Sequence, residues 1–151
     1  REDAVYAEAS ALSFHFAIGS HMRHTLEHYE LFLDQWPSVR VDYDRRPRNP
    51  RYDSDRLFTL GRIAEISDRL RGIPFSAAKR TVAVRIDGGG NPDTDWCFST
   101  VKRELQFLQS HDVHHYAFIA VLLRSAGKEP PDGFGMAPST LRHLERQACA
   151  R

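Results

Sequence analysis

A single long helical segment in the second half of the chain does most to constrain the fold. Between about Thr100 and Ala126, apolar residues recur at the spacing of one helix face. Ser99 or Thr100 can cap the start of this helix, and Gly127 is suited to end it. The predicted buried stripe contains Val101, Leu105, Leu108, Asp112, Ile119 and Leu122, with His111, His115 and Phe118 on one flank. The chain is therefore predicted to be mainly α-helical.

Two more helices are predicted upstream. One begins near Ile18 and ends before Pro37, because proline cannot continue a helix. Its apolar face is predicted to contain Ile18, Met22, Thr25, Tyr29 and Phe32, and its solvent face Arg23, Glu27, Glu30 and Asp34. The other begins at an N-cap, Asp53 or Ser54, and ends at Gly72.

The remaining helical signals are weaker. Residues 2–16 are predicted to hold the end of a first helix and a connection, with the start of that helix lying before Arg1. Residues 38–50 contain two prolines and many charges, and are predicted to form an irregular crossover between helices. Ser139 is predicted to cap a short helix near the C-terminal end.

A small β-hairpin is predicted directly before the long helix. The segment Thr81–Asp87 alternates apolar and polar residues, which is the period of a strand. The glycine-rich residues 88–93 break the pattern, and Asp95–Phe98 can form the returning strand. The hairpin is thus an insertion in an otherwise helical protein.

Length and charge limit the class of protein. A chain of 151 residues suits one domain, residues 1–151, that can bury a core without disulfides. It carries 21 basic and 20 acidic residues, so it has no bulk charge for binding nucleic acid or an anionic membrane. An arginine-rich segment is interpreted as a solvated loop rather than a phosphate-binding patch, because acidic residues flank it on both sides. It contains Arg45, Arg46, Arg48 and Arg51, and the flanking residues are Asp42, Asp44, Asp53 and Asp55.

Two cysteines are too few for a disulfide framework, and no apolar run approaches the roughly 18 to 20 residues of a membrane helix. The chain also opens without a charged-then-apolar leader. A cytoplasmic location without membrane contact is therefore the expectation.

Six histidines fall in two short helical windows, His21, His24 and His28 in one and His111, His114 and His115 in the other. His111 and His115 stand four residues apart, so they project from the same side of a helix and can chelate one divalent ion. A third histidine from a facing helix would leave coordination positions open for water or substrate. Helical geometry alone does not choose among the three upstream histidines.

The simpler interpretation is that these histidines are hydrogen-bonded core residues. Two clusters of three would then bury many ring nitrogens that need partners, which favours a metal. Other chemistries fit less well. Asp112 follows His111 where the zinc-protease helix has glutamate, and residues 88–90 lack the pattern of a phosphate-binding loop. Cys97 has no base nearby in the sequence and is interpreted as a structural thiol.

The segment Ser110-His111-Asp112-Val113-His114-His115, followed by an apolar run and then Leu122–Gly127, resembles the last long helix of the DinB-like (damage-inducible, YfiT-like) superfamily. The resemblance implies a four-helix bundle with an up-up-down-down crossover, here carrying the hairpin insertion. It also implies one divalent metal ion, zinc or nickel, held by His111, His115 and one histidine of the second helix. Aligning Ile18 with the start of that helix places His24 on the ligand and Glu27 on the acidic position three residues later.

The resemblance further implies a function. Some members of the superfamily resemble metal-dependent transferases or isomerases that use low-molecular-weight thiols such as bacillithiol or mycothiol. The metal would lower the pKa of such a thiol, and Asp112, His114 or Tyr116 would move protons. His21 and His28 would orient the ligands or replace His24. The alternative is a metal-stabilised binding or stress-response domain without turnover. The expected partner is a small-molecule thiol or electrophile, and a homodimer covering Trp36 and Phe134 is a further possibility.

Overall fold

A computed structural model describes residues 2–7, 17–86 and 96–149. Within these ranges the protein is mainly helical, with one small sheet. The helices are α1 (Glu2–Ala7), α2 (Ile18–Gln35), α3 (Arg51–Ser54), α4 (Arg56–Arg71), α5 (Val101–Ser125) and α6 (Pro138–Cys149). The strands are β1 (Arg40–Asp42), β2 (Thr81–Arg85) and β3 (Trp96–Thr100).

The two ends of α5 are those that the sequence predicts. Thr100 caps the helix, because its hydroxyl accepts a hydrogen bond from the backbone N–H of Arg103 at 3.3 Å. At the other end Gly127 adopts a left-handed conformation, with φ of 71°. The N–H of Lys128 can then reach back to the carbonyl of Leu123 at 2.9 Å, which closes the helix.

Two predicted caps are wrong by one or two residues. The side chain that caps α4 is Asp55, not Asp53 or Ser54; it accepts from the backbone N–H of Phe58 at 2.9 Å. The preceding residues form the separate short helix α3, which the extended backbone of Asp55 interrupts. The last helix begins one residue before Ser139, at Pro138, because proline is suited to the first position of a helix.

The predicted hairpin is present but belongs to a three-stranded sheet. β2 pairs with β3 in antiparallel register, with Val84 opposite Cys97. The predicted turn between them, residues 88–93, lies outside the described residues. β1 adds a third strand parallel to β2, with Val41 opposite Val84. The interpretation of residues 38–50 as wholly irregular is therefore wrong, because a strand of three residues is too short to show a period.

Helix α2 lies at the centre of the molecule and packs against α1, α3, α4 and α5. The main apolar cluster surrounds its second half, where Phe32 is fully buried together with Leu108 of α5 and Val41 and Val82 of the sheet. A second, smaller cluster lies at the start of α2 and comprises Tyr6, Ile18, Ile119 and Leu122. Both clusters involve α2 and α5, so the segment between them on these two helices is enclosed at both ends.

The predicted solvent face of α2 is partly buried. Glu27 is only 1% exposed, since the chain after β1 folds over this side of the helix. The backbone N–H of Asn49 donates to the carboxylate of Glu27 at 2.6 Å. This bond replaces part of the hydrogen bonding to water that the carboxylate loses on burial. A helical wheel predicts one buried face, whereas α2 is covered on several sides.

Within the described residues no helix is both long and apolar enough to cross a membrane. Trp36 packs against the main cluster, and Phe134 stacks on Tyr116 of α5 with ring centroids 5.0 Å apart. Both aromatic side chains thus pack against their own chain and remain partly exposed, and the homodimer stays a prediction.

Candidate metal centre

Three histidines from two helices converge on one point. His24 lies on α2, and His111 and His115 lie one turn apart on α5. The Nε2 atom of His111 is 3.1 Å from Nε2 of His24 and 3.2 Å from Nε2 of His115. Within the described residues, one ligand atom from each of these three side chains lies within 4.8 Å of the other two, so the group could hold a metal ion.

The spacing suits a divalent ion. Zinc–nitrogen bonds of about 2.0 to 2.1 Å in tetrahedral geometry separate neighbouring nitrogens by about 3.3 Å. The two Nε2 separations from His111 are close to that value. Lone pairs aimed at a common point repel one another unless a proton or a cation lies between them. The donor set therefore fits a metal with three protein ligands and room for an exogenous one.

The position of the site follows from the two apolar clusters. His24 lies between Ile18 and Leu26 on α2, each of which is buried in one of the clusters. His111 and His115 likewise lie between Leu108 and Ile119 on α5. Packing on both sides holds the helices at a fixed separation, which positions the three imidazoles without help from a ligand.

Burial keeps these histidines neutral. Burial, together with the neighbouring histidines and Arg46, lowers the pKa of His24 to about 3. Burial likewise lowers the pKa values of His111 and His115 to about 4. A neutral imidazole has a free lone pair, so all three rings are available as ligands at neutral pH without proton loss.

The other two upstream histidines contact this group without joining it. Nδ1 of His21 lies 2.9 Å from Nδ1 of His115, a distance at which one ring donates to the other. Nδ1 of His28 donates to the backbone carbonyl of His24 at 2.6 Å, which fixes its ring beside His111. The contact from His21 can orient the ring of His115 and select its tautomer. Of the three upstream histidines, the structure thus brings His24 into the group that could hold a metal ion, and it places His21 and His28 beside that group.

Arg46 is the residue of the site that the sequence did not indicate. Its guanidinium donates to Nδ1 of His24 at 2.6 Å and to the carbonyl of Tyr43 at 2.9 Å. The interpretation of the whole arginine-rich segment as solvated is therefore wrong, because Arg46 is partly buried against α2. No local pattern distinguishes Arg46 from its exposed neighbour Arg45, since both lie in the same charged segment.

The contact with Arg46 determines the tautomer of His24. A neutral imidazole carries one N–H, and a guanidinium can only donate, so Nδ1 of His24 must be the acceptor. The proton then lies on Nε2, which donates towards His111. To bind a metal through Nε2 the ring must shift that proton to Nδ1, and Arg46 must release it. Arg46 and a metal therefore compete for His24.

A polar cavity of about 190 Å³ opens beside His24. Its walls are Arg23, Glu27, Arg46 and Arg48. Arg23 forms an ion pair with Asp53, whereas neither Arg46 nor Arg48 has a carboxylate within ion-pair distance in the described part of the chain. The cavity thus has an excess of positive charge next to a candidate ligand.

The three predicted proton-transfer residues occupy different environments. Asp112 is partly buried and accepts from the hydroxyl of Tyr29 at 2.6 Å, while its other carboxylate oxygen has no partner among the described residues. Burial raises the pKa of Asp112 to about 6 and that of Tyr116 to about 12. His114 is exposed and its ring lies beside those of His115 and Phe118. Of Asp112 and Tyr116, Asp112 therefore has the pKa closer to neutral.

Comparison with known proteins gives a partial match to a longer protein. No protein family and no solved structure matches the chain significantly. The chain is 30% identical over 108 residues to FK506-binding protein 5 of Rhizopus delemar. The match covers 71% of this chain but only 28% of that protein, so this chain is similar to a minor part of a longer one. The match does not show a family for this chain.

Proposed function

We propose that the protein is a divalent-metal-binding member of the DinB-like superfamily and acts as a metal-dependent S-transferase on a low-molecular-weight thiol. The observation that carries the proposal is the convergence of the Nε2 atoms of His24, His111 and His115 between two packed helices. Imidazole donors suit several transition metals, zinc and nickel among them, and we propose one of these two as the bound ion. Three protein ligands leave a position for substrate, which is the arrangement of catalytic rather than structural zinc.

Each residue has a role in this proposal. When bound, the metal would act as a Lewis acid that lowers the pKa of a thiol into the neutral range. His21 would hold the ring of His115 through their hydrogen bond, and His28 would pack beside the ring of His111. Asp112, with a pKa of about 6, would accept or return a proton near neutral pH. We place the protein in the cytoplasm, where small thiols remain reduced.

The fold belongs to the same proposal. We propose that α1, α2, α4 and α5 correspond to the four helices of the bundle and that residues 38–50 form its crossover. The packing of α2 against the other three supports this assignment. The sheet is then an addition to the bundle rather than part of it.

A non-catalytic, metal-stabilised binding or stress-response domain is the alternative. It is favoured by the position of the three histidines between two apolar clusters, where an ion would tie α2 to α5. FK506-binding protein 5 adds no preference between the two functions, because the similarity covers 28% of that protein.

The deciding experiment is elemental analysis of the full chain after purification without a histidine tag. We expect about one equivalent of zinc, nickel or another divalent ion per chain. Absence of metal, together with a melting temperature that added zinc does not change, would exclude both functions. If metal is present, a panel of thiols assayed with electrophiles distinguishes the enzyme from the binding domain.

A further inference from the structure

The cavity beside His24 and the side chain of His111 lie on opposite sides of the His24 ring. His24 presents Nε2 to His111 and Nδ1 to Arg46, so one imidazole separates the candidate metal position from the cavity. The cavity and the candidate metal position are therefore neighbours on two sides of the His24 ring. A group bound in the cavity can therefore belong to the same small molecule that binds at the metal position.

The charges of the cavity favour an anion. Arg46 is partly buried in the wall of the cavity, so its guanidinium has lost part of its contact with water. Its hydrogen bonds go to an imidazole nitrogen and a carbonyl, both of which are neutral. The nearby carboxylate of Glu27 already accepts from Asn49, and that of Asp53 pairs with Arg23. Arg46 and Arg48 have no such ion pair among the described residues, and with Glu27 as the carboxylate in the lining the cavity keeps a net positive charge.

Metal binding would strengthen this preference. Because Nδ1 of His24 cannot accept from Arg46 once Nε2 binds a metal, the guanidinium loses a hydrogen-bond acceptor. A carboxylate or phosphate oxygen in the cavity would replace it with a stronger, charge-assisted bond. The same two arginines would then recognise the substrate and compensate for the lost contact.

We propose that this cavity, lined by Arg46 and Arg48, binds a carboxylate or phosphate group on the small molecule that the metal site takes. The proposal rests on the proposed metal-dependent function and specifies its substrate class as an anionic thiol or an anionic electrophile. In this proposal Arg46 and Arg48 of the arginine-rich segment line an anion site, whereas Arg45 of the same segment is exposed to solvent.

The test compares two thiols that differ in charge. Calorimetric titrations of the zinc-loaded full chain with 3-mercaptopropionate and with 3-mercapto-1-propanol yield the ratio of the two affinities. Because a carboxylate can also chelate zinc, the informative quantity is the change of this ratio between proteins. We expect Arg48→Gln to reduce the ratio about fivefold and Arg46→Gln about tenfold, since each removes a charged donor.

Arg45→Gln is the matched control, because Arg45 lies in the same segment with a side chain 78% exposed and outside the cavity. It should leave the ratio unchanged. The zinc content of every variant is measured first, so that the ratios are compared at equal metal loading. A ratio that is the same in the wild type, Arg46→Gln and Arg48→Gln proteins would overturn the proposal.

A metal-free experiment separates this proposal from the proposed function. The melting temperature of the chelator-treated protein is measured in inorganic phosphate, in acetate and in sodium chloride at equal ionic strength. A higher melting temperature of the wild type in phosphate or acetate, absent in Arg48→Gln, supports the anion site even if the protein binds no zinc. The salt that gives the larger increase contains the preferred oxyanion. Equal melting temperatures of the wild type in all three salts would refute the anion site while leaving the metal site intact.

Discussion

At the scale of single residues, the position of one proton on His24 decides how the centre behaves. In the metal-free arrangement Arg46 donates to Nδ1, which leaves Nε2 protonated and directed at His111. A metal requires the opposite tautomer. The packing of the helices therefore brings together three histidines that could hold a metal, while Arg46 already uses one ring nitrogen of His24.

Replacement of Arg46 tests this competition. We expect Arg46→Gln to raise the affinity for zinc about tenfold at pH 7.5, because it removes both a competing donor and a nearby positive charge. The affinity is measured by competition with a coloured chelator, with Arg45→Gln as the control. A lower affinity in Arg46→Gln would mean that Arg46 assists the metal-bound state.

The ligand assignment is tested by histidine replacement. His115→Ala should reduce bound zinc from about one equivalent to almost none, since two remaining imidazoles hold the ion weakly. His24→Ala should do the same; if it retains metal, the third ligand is His21 or His28. The control is His143→Ala, which removes an exposed histidine of α6. Metal content is measured by elemental analysis after gel filtration.

At the scale of elements, α2 is the helix around which the others are arranged, and its first turn has no room for a larger side chain. A Cβ atom at Gly19 would lie 2.3 Å from the backbone oxygen of Asp53. The close approach of α2 and α3 therefore depends on glycine at this position. It also places Asp53 where it can pair with Arg23 beside the cavity.

Two glycine-to-alanine substitutions should have opposite effects on stability. Gly19→Ala should lower the free energy of unfolding by about 1 to 3 kcal/mol, because backbone atoms of α3 must move to accommodate the methyl group. Gly61→Ala, on the exposed face of α4, meets nothing within 4 Å and should stabilise by about 0.5 to 1 kcal/mol. Urea denaturation measures both. Equal effects at the two positions would show that α3 does not pack on α2 in solution.

At the scale of the whole molecule, α2 and α5 connect two apolar clusters, and the histidines occupy the partly hydrated region between them. Burial there lowers the pKa values of four rings, those of His24, His28, His111 and His115, to about 3 or 4. Without metal, this region makes the stability of the entire fold sensitive to acid.

The unfolded chain takes up protons on these histidines near pH 6.5, whereas the folded protein resists protonation until about pH 4. Above pH 7 these groups should therefore not affect the stability of the metal-free protein. Between pH 6.5 and 4 the free energy of unfolding should fall by about 1 kcal/mol or more per pH unit. The raised pKa of Asp112 has the opposite effect, because protonation of this carboxyl favours the folded state. It involves one proton, whereas the histidines involve four.

Urea midpoints between pH 7.5 and 4 in the presence of a chelator measure this dependence. His28→Gln should make it shallower, because glutamine carries no charge in either state. His143→Gln, at an exposed position, should not change the slope. A stability that stays constant from pH 6.5 to pH 4.5 would contradict the burial of neutral histidines.

Several parts of the fold and site were predictable because they depend on residues close in sequence. The bounds of α2 and α5 follow from proline, glycine and a capping threonine, and the His111–His115 pair follows from the helical repeat. The hairpin strands were predictable from their alternation. Parallel pairing of β1 was not, since its partner lies more than forty residues further along the chain and the strand has three residues.

The sequence by itself thus determined which helices carry imidazoles and which pair can chelate one ion, because i and i+4 positions meet on any α-helix. Only the tertiary structure decided the rest. The packing of α2 against α5 turns His24 to the centre and leaves His21 and His28 as its neighbours. The chain after β1 then folds over α2, buries Glu27 and brings Arg46 to His24. These contacts join residues more than twenty positions apart, and no local periodicity encodes such a distance.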